Sequence, residues 1–338
     1  MNAPSDRLTP LIQEETFYLE RVQQEVRKRI VGQQHLLDAM LIALLTGGHL
    51  LLEGVPGLAK TLAVKSLAEA IEVSFRRIQF TPDLLPADLV GTMIFDQKTG
   101  EFVPRKGPVF THLLLADEVN RAPAKVQSAL LECMQEKQVT LGKETFCLEE
   151  PFMVIATQNP IEHEGTYPLP EAQMDRFLMK ILLTYPSRKE EREIMSRASG
   201  VEGGALGLTG SDGIPVSRVL VSERVRRMRE LAVQIHVEER IKTYILDLVF
   251  ATRRPEEYRL DFGRLIRIGA SPRASIGILC AARAHAFLKG RGYVIPDDVK
   301  GVAADVLRHR FLLSYEGEAE GVTADEIVRR ILQTIPAP

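Results

Sequence analysis

The amino-acid sequence predicts an α/β fold, in which helices flank a parallel sheet, followed by a small all-α domain. Short, continuous apolar runs alternate with helical segments through the first part of the chain. Such runs are typical of parallel strands that are buried on both faces. Beyond Val221 the apolar residues recur only at the spacing of a helix. The predicted strands are His49–Glu53, Phe75–Phe80, Leu113–Asp117, Phe152–Gln158 and Leu178–Tyr185.

Length and composition restrict the function classes. At 338 residues the chain favours one large domain plus a smaller one. A formal net charge of −2 provides no overall field toward nucleic acid, which is disfavoured as a partner. No apolar run reaches the roughly 18 residues of a membrane helix, and the N-terminus lacks a secretory signal pattern. We therefore expect a cytoplasmic protein.

Several elements stand outside the strand and helix alternation. An amphipathic helix is predicted to open the chain, with Thr9 as its N-cap and Pro10 as its first residue. Two β-hairpins are predicted at Leu89–Val103 and Val139–Leu148, the second turning near Gly142 and Lys143. We expect both hairpins to be insertions, separate from the main sheet.

A glycine-rich stretch marks the predicted domain boundary. Six glycines occur between Gly200 and Gly213, without sustained periodicity. The predicted domains are an α/β core at 1–200, a linker at 201–220 and a helical domain at 221–338. The main predicted helices of the last are Glu223–Val237, Arg240–Arg253, Pro272–Lys289 and Pro296–Arg308.

A glycine-containing loop after the first predicted strand indicates a phosphate-binding site. Backbone N–H groups, a helix N-terminus and a lysine would converge there on a polyphosphate. Lys60 is expected to reach the β- and γ-phosphates, and the Thr61 hydroxyl to bind Mg²⁺. Ala59 replaces the usual glycine, and a right-handed backbone there would accommodate it. The alternative is a strand-to-helix turn with an incidental lysine. The loop reads Gly54, Val55, Pro56, Gly57, Leu58, Ala59, Lys60, Thr61.

Three polar residues lie at the ends of later strands or directly after them. Asp117 is expected to hold Mg²⁺ and Glu118 to polarise the attacking water. Asn159 follows Phe152–Gln158 and could hold that water or a γ-phosphate oxygen. Solvated strand-end acids and a turn-forming asparagine are the alternatives. Together with the loop, these residues predict ATP hydrolysis.

Order and spacing of the motifs resemble the AAA+ ATPases, and within them the MoxR-type subgroup, which is related to the magnesium-chelatase ATPase subunit. The resemblance spans roughly residues 22–311. The motifs that carry it are Ile30 to Gln33, Gly54 to Thr61, Ala116 to Pro123, Ala156 to Pro160, Leu169 to Phe177 and Gly269 to Ala274.

The resemblance implies roles for individual residues. Lys60 and Thr61 would be Walker A residues, Asp117 and Glu118 Walker B, and Asn159 sensor 1. Val31 and Gly32 resemble the segment that lines the adenine pocket. Arg273 resembles sensor 2, on a moving lid domain.

Arg176 resembles the arginine finger, which acts on the nucleotide of the next subunit and so implies a ring, with a hexamer as the expected size. An intramolecular ion pair with Asp175 or Glu171 is the alternative reading of Arg176. Arg121 is a second candidate for a contact in trans.

The hairpins fall where this subgroup carries its helix-2 insert and its pre-sensor-1 hairpin. They face either the ring pore or a partner, or they pack on their neighbours.

The leading functional hypothesis is a ring-forming, chaperone-like remodelling ATPase that matures a partner protein or loads it with metal or cofactor. Resemblance implies a partner with a von Willebrand factor A domain. One alternative is a nucleotide-dependent assembly scaffold with negligible turnover. Another is a nucleic-acid translocase, which is disfavoured because the basic stretch at residues 224–229 has no interleaved aromatic residue.

Overall fold

The computed structural model describes residues 4–55, 57–160, 167–198 and 214–338. The chain forms two compact units. We call Tyr18–Leu169 with Ile181–Arg226 the sheet unit, and Met1–Phe17 with Pro170–Lys180 and Arg227–Pro338 the helical unit. Among the described helices, none combines the length and apolar character needed to cross a membrane.

The helices and strands follow in chain order. The helices are α1 (Pro4–Arg29), α2 (Gln34–Thr46), α3 (Lys60–Ala70), α4 (Pro86–Val90), α5 (Ala124–Glu136), α6 (Glu171–Met174), α7 (Arg188–Ala198), α8 (Ser222–Gln234), α9 (Glu239–Phe250), α10 (Pro272–Leu288), α11 (Pro296–Leu307), α12 (Tyr315–Ala319) and α13 (Ala324–Thr334). The strands are β1 (Leu50–Glu53), β2 (Phe75–Gln79), β3 (Gly91–Asp96), β4 (Glu101–Lys106), β5 (Leu113–Asp117), β6 (Gln138–Leu141), β7 (Glu144–Cys147), β8 (Met153–Gln158), β9 (Met179–Leu182), β10 (Ile266–Ile268) and β11 (Leu312–Leu313).

A five-stranded sheet has the order β2-β5-β8-β1-β9. The pairs β2–β5, β5–β8 and β8–β1 run parallel, which confirms the predicted fold class. The predicted apolar runs are these strands, shortened by a residue or more at some ends. Glu53 pairs with Gln158, and Gln79 with Asp117, so the ends of four strands meet at one edge. Residues that follow those strands are thereby brought together.

Both hairpins form two-stranded sheets separate from the main one, as predicted. Strands β3 and β4 pair antiparallel, and so do β6 and β7. Their bases contact each other, because Lys106 Nζ of β4 lies 4.9 Å from the ring centroid of Phe146 in β7. Away from that contact, the rings of Phe95 and Phe102 are tilted against each other with centroids 5.4 Å apart, and these residues are 55% and 66% exposed. The first hairpin thus packs at its base and exposes an aromatic pair.

The helical unit is built on α9, α10, α11 and α13, with α10 and α11 in extensive contact. An antiparallel ribbon of β10 and β11 was not predicted, because strands of three and two residues are too short to show a pattern. The predicted start of the first helix is wrong. Helix α1 begins at Pro4, so Pro10 lies inside it, and the Thr9 hydroxyl accepts a hydrogen bond from Gly292 N (3.3 Å).

Most of the predicted linker, residues 201–213, lies outside the described residues. Its final part is held by the sheet unit. Arg29 Nε donates to Ile214 O (2.6 Å), and Ser217 N donates to the Glu25 carboxylate (2.8 Å). Val219 N donates to Ala70 O at the end of α3 (2.8 Å). The predicted domain bounds remain a prediction.

Candidate nucleotide-binding site

The predicted phosphate-binding loop joins β1 to α3 in the sheet unit. Gly57 has φ +86°, and a Cβ built there would meet open space. Gly54 lies so close to its neighbours that an added Cβ would be 2.8 Å from Leu183 Cβ. The loop therefore uses one glycine for its turn and one for close packing. Pro56 lies outside the described residues.

The structure corrects the expectation of a right-handed backbone at Ala59. Its φ and ψ are 54° and 24°, in the left-handed region. Its carbonyl already accepts the first helical hydrogen bond, from Ala63 N at 2.9 Å, so the chain must enter α3 at this residue. A left-handed alanine costs roughly 1–2 kcal/mol relative to the right-handed form. The loop keeps the backbone that glycine usually supplies and bears this strain.

The Lys60 side chain folds back over the loop at the start of α3. Its ammonium donates a hydrogen bond to Gly54 O (2.6 Å). Burial lowers the pKa of Lys60, while the nearby carboxylates of Asp117 and Glu118 oppose that shift. The Lys60 cation thus stands at a helix N-terminus, and both features favour an anion such as phosphate.

Asp117, at the end of β5, is held on both sides of its carboxylate. Thr157 Oγ1 of the adjacent strand β8 donates to Oδ1 at 2.6 Å. Arg77 of β2 donates to Oδ2 at 2.6 Å. These two hydrogen bonds fix the orientation of the Asp117 carboxylate at the end of β5. Thr157 is almost fully buried, so its hydroxyl is a fixed part of the site.

Glu118 adopts a left-handed backbone with φ 56°. Its N–H donates to Thr157 Oγ1 (2.9 Å), so one hydroxyl holds both acids. Its carboxylate accepts from Gln79 Nε2 (2.7 Å) and lies 3.0 Å from Arg121 Nε. Arg121, the second candidate for a contact in trans, therefore pairs within its own chain.

A cavity of about 650 Å³ adjoins these residues. It brings together most of the predicted nucleotide ligands. Gly32 and Val55 do not line it. Gly32 has φ +66°, and an added Cβ there would lie 2.3 Å from the Glu190 carboxylate. The predicted residues in the lining are Val31, Gly54, Gly57, Leu58, Ala59, Lys60, Thr61, Asp117, Glu118 and Asn159.

Sequence reasoning missed several lining residues, among them Arg77, Gln79 and Thr157. A signal for each was present. Thr157 is the first polar residue after the apolar part of β8, Met153–Ala156, and buried polar side chains need hydrogen-bond partners. Arg77 and Gln79 alternate on β2, which puts both on one face, beside the acids of β5.

The two predicted arginines of the ring and lid lie in the helical unit. Arg273 is half exposed near the start of α10, with its guanidinium 3.5 Å from Asp175 Oδ2. Arg176 is half-buried, and within the described residues its Nε has no hydrogen-bond acceptor. Asp175 pairs with Arg310 (3.0 Å) and Glu171 with Arg267 (3.2 Å). In the described part of the chain, neither acid forms the alternative ion pair with Arg176.

Comparison with known proteins decides the family. Residues 49–179 match the ATPase family associated with various cellular activities (AAA), and residues 262–331 match the AAA lid domain. The chain is 50% identical over 325 residues to Chaperone MoxR1 of Mycobacterium tuberculosis, covering 96% of this chain and 83% of that protein. It belongs to the MoxR family of AAA+ ATPases.

Further relatives agree with this MoxR assignment. Protein MoxR of Paracoccus denitrificans is 31% identical, with 91% of this chain and 93% of that protein covered. The crystal structure of a protein of Cytophaga hutchinsonii, assigned as an ATPase, superposes with a TM-score of 0.88 at 49% identity, covering 98% of each chain. The family resemblance inferred from the motifs is confirmed, and so is the fold class predicted from the strand and helix pattern.

Proposed function

We propose that this MoxR-family chain binds ATP with Mg²⁺ and hydrolyses it. The observation that carries the proposal is the convergence of Lys60, Thr61, Asp117, Glu118 and Asn159 around one cavity at the N-terminus of α3. The donor set fits, because hydroxyl and carboxylate oxygens are ligands that Mg²⁺ prefers. Thr61 and Asp117 would hold the ion, which supplies charge neutralisation at the phosphates.

Within this proposal the remaining residues act on water and phosphate. Lys60 offsets the charge of the β- and γ-phosphates. Glu118 polarises the attacking water, and the Asn159 amide orients it or a γ-phosphate oxygen. Glu118 already shares its carboxylate with Gln79 and Arg121, and those bonds restrict its direction. Because the residues needed for hydrolysis are all present, we favour an ATPase that turns over ATP rather than an assembly scaffold with negligible turnover.

We propose further that the chain works as a ring, with a hexamer as the expected size, and that Arg176 completes the site of the next subunit. Its half exposure and the pairing of both nearby acids with other residues support this role. Arg273 would act as sensor 2.

The remodelling role rests on the family and on one surface feature. A relative at 50% identity is named a chaperone. The exposed pair Phe95 and Phe102 gives the first hairpin an apolar surface suited to an unfolded client segment. We propose a cytoplasmic, chaperone-like ATPase that matures a partner protein or loads it with metal or cofactor. A protein with a von Willebrand factor A domain is the proposed partner.

Phosphate release by purified protein, measured over a range of protein concentrations, tests the ATPase and the ring together. Lys60→Ala should lose nucleotide binding, whereas Glu118→Gln should keep ATP bound without releasing phosphate. Arg176→Ala should bind ATP and lose on the order of 10³-fold or more in turnover, because an arginine finger acts in the transition state. Bound ATP without phosphate release by the assembled wild type would favour the scaffold. Equal turnover by monomer and assembly would exclude the trans role.

Glu118→Gln loaded with ATP is also the reagent for finding the client. Capture with this variant should be compared with the same variant carrying Phe95→Ser and Phe102→Ser. A protein retained only when both phenylalanines are present would identify the hairpin as the client contact. Equal capture by both forms would remove the hairpin from the proposal.

A further inference from the structure

Three consecutive residues after α11 hold the segment that carries Arg176. Arg308 donates to Lys180 O. His309 Nε2 lies 3.1 Å from Phe177 O and must donate, because a carbonyl only accepts. Arg310 donates to Phe177 O (2.5 Å) and to Leu178 O (2.9 Å). The main chain directly after Arg176 is therefore anchored to the helical unit.

The residue before Arg176 is anchored as firmly. Asp175 Oδ1 accepts a hydrogen bond from Arg310 Nε at 3.0 Å. Its Oδ2 accepts from the hydroxyl of Ser271, the N-cap of α10, at 2.9 Å. The same oxygen lies 3.5 Å from the Arg273 guanidinium. One carboxylate thus joins the segment of Arg176, the start of α10 and two arginines.

Burial makes this arrangement rigid. The Arg310 side chain is only 3% exposed and that of Asp175 only 15%. Burial lowers the pKa of Arg310 to about 10, while Asp175 opposes the shift, so the guanidinium stays charged at neutral pH. A buried charge needs a counter-ion, and Arg310 holds Asp175 in that role. Arg273 is half exposed and is the arginine that is free to leave.

We propose that Asp175, clamped by Arg310, is a positioning residue for ATP hydrolysis, an inference that rests on the proposed function. Asp175 fixes the direction in which the Arg176 side chain leaves the main chain. It also holds the half-exposed Arg273, through a contact that is longer than its contact with Arg310. When Arg273 moves to a γ-phosphate, Arg310 still neutralises the carboxylate. The departure of Arg273 therefore does not leave the buried Asp175 carboxylate without a counter-ion.

Asp175→Asn tests this role, because it keeps the size of the side chain and removes its charge. We expect unchanged affinity for a fluorescent ATP analogue and turnover at saturating Mg-ATP reduced by about 10- to 100-fold, the effect of a misplaced catalytic group. Glu171→Gln is the matched control. It removes a carboxylate from the same segment, where Glu171 pairs with Arg267 at an exposed position, and should leave turnover unchanged.

Subunit mixing separates positioning from a folding defect. Asp175→Asn keeps its own Walker residues, and Glu118→Gln keeps its own Arg176. Mixed rings should therefore hydrolyse ATP faster than either variant alone, because Arg176 of a Glu118→Gln subunit can complete the intact Walker site of a neighbouring Asp175→Asn subunit. A misfolded subunit would not be rescued in this way.

Circular dichroism establishes whether Asp175→Asn folds. If it does not, Asp175→Asn with Arg310→Leu removes the charge and its counter-ion together, and the same loss and rescue are expected. Folded variants with wild-type turnover, or mixtures no faster than their components, would overturn the positioning role while leaving the proposed ATPase intact. A wild type that never releases phosphate would refute the proposed function and this inference with it.

Discussion

Ala59→Gly should stabilise this protein, because Ala59 is the left-handed N-cap of α3 and glycine adopts a left-handed backbone without steric cost. The alanine sits at φ 54°, where L-residues are strained by roughly 1–2 kcal/mol. Glycine removes that strain but makes the unfolded chain more flexible, at a cost of about 0.4–1 kcal/mol. The Ala59 methyl is exposed, so its loss removes no core packing. The difference between the two effects runs from about 0 to 1.6 kcal/mol, and we expect a gain in the free energy of unfolding near the middle of that range, about 0.8 kcal/mol.

Urea unfolding followed by far-ultraviolet circular dichroism measures this gain, since the chain has no tryptophan to report by fluorescence. Ala129→Gly is the matched control. It makes the same chemical change inside the right-handed helix α5 of the same unit and should lose about 1 kcal/mol. If Ala59→Gly lowers the free energy of unfolding as Ala129→Gly does, the strain argument is refuted.

Two further predictions follow from buried polar groups. Thr157→Val removes the hydroxyl shared by Asp117 and Glu118, so the free energy of unfolding should fall by about 1–3 kcal/mol. The Mg²⁺ concentration for half-maximal ATPase should rise about 10- to 100-fold, and an unchanged Mg²⁺ requirement would contradict this role. Burial, and next Arg310, hold the pKa of His309 well below its ordinary 6.5. Below about pH 6.5 His309 is therefore protonated in the unfolded chain but stays neutral in the folded chain. The free energy of unfolding should decline as the pH falls through this range, by up to about 1.4 kcal/mol per pH unit. Urea titrations across this range should show a weaker decline for His309→Gln, and an equal slope would exclude His309 as the cause.

Much of the fold and of the site could be predicted from the sequence because both depend on local pattern. Leu113–Asp117 is a continuous apolar run that ends in an acid, and such a short run is typical of a parallel strand buried on both faces. The loop before Lys60 needs a strand before it and a helix after it, and the sequence shows both. Parallel strands bring their ends to one edge, so Asn159 could be placed near that loop without any coordinates.

The left-handed backbone at Ala59 could not be predicted in this way. An alanine prefers the right-handed region, and only the path of the loop between β1 and α3 overrides that preference.

Taken alone, the sequence determined the strand and helix pattern, the phosphate-binding loop and the family of this chain. Tertiary structure decided which charged groups share a partner. Asp175 and Arg310 are 135 residues apart, and Arg77 and Asp117 are 40 apart. Spacing along the chain carries no information about such pairs, because their distance depends on strand order and on how the helices of one unit pack. Burial then gives these pairs their strength, since a charge removed from water must find its counter-ion within the fold.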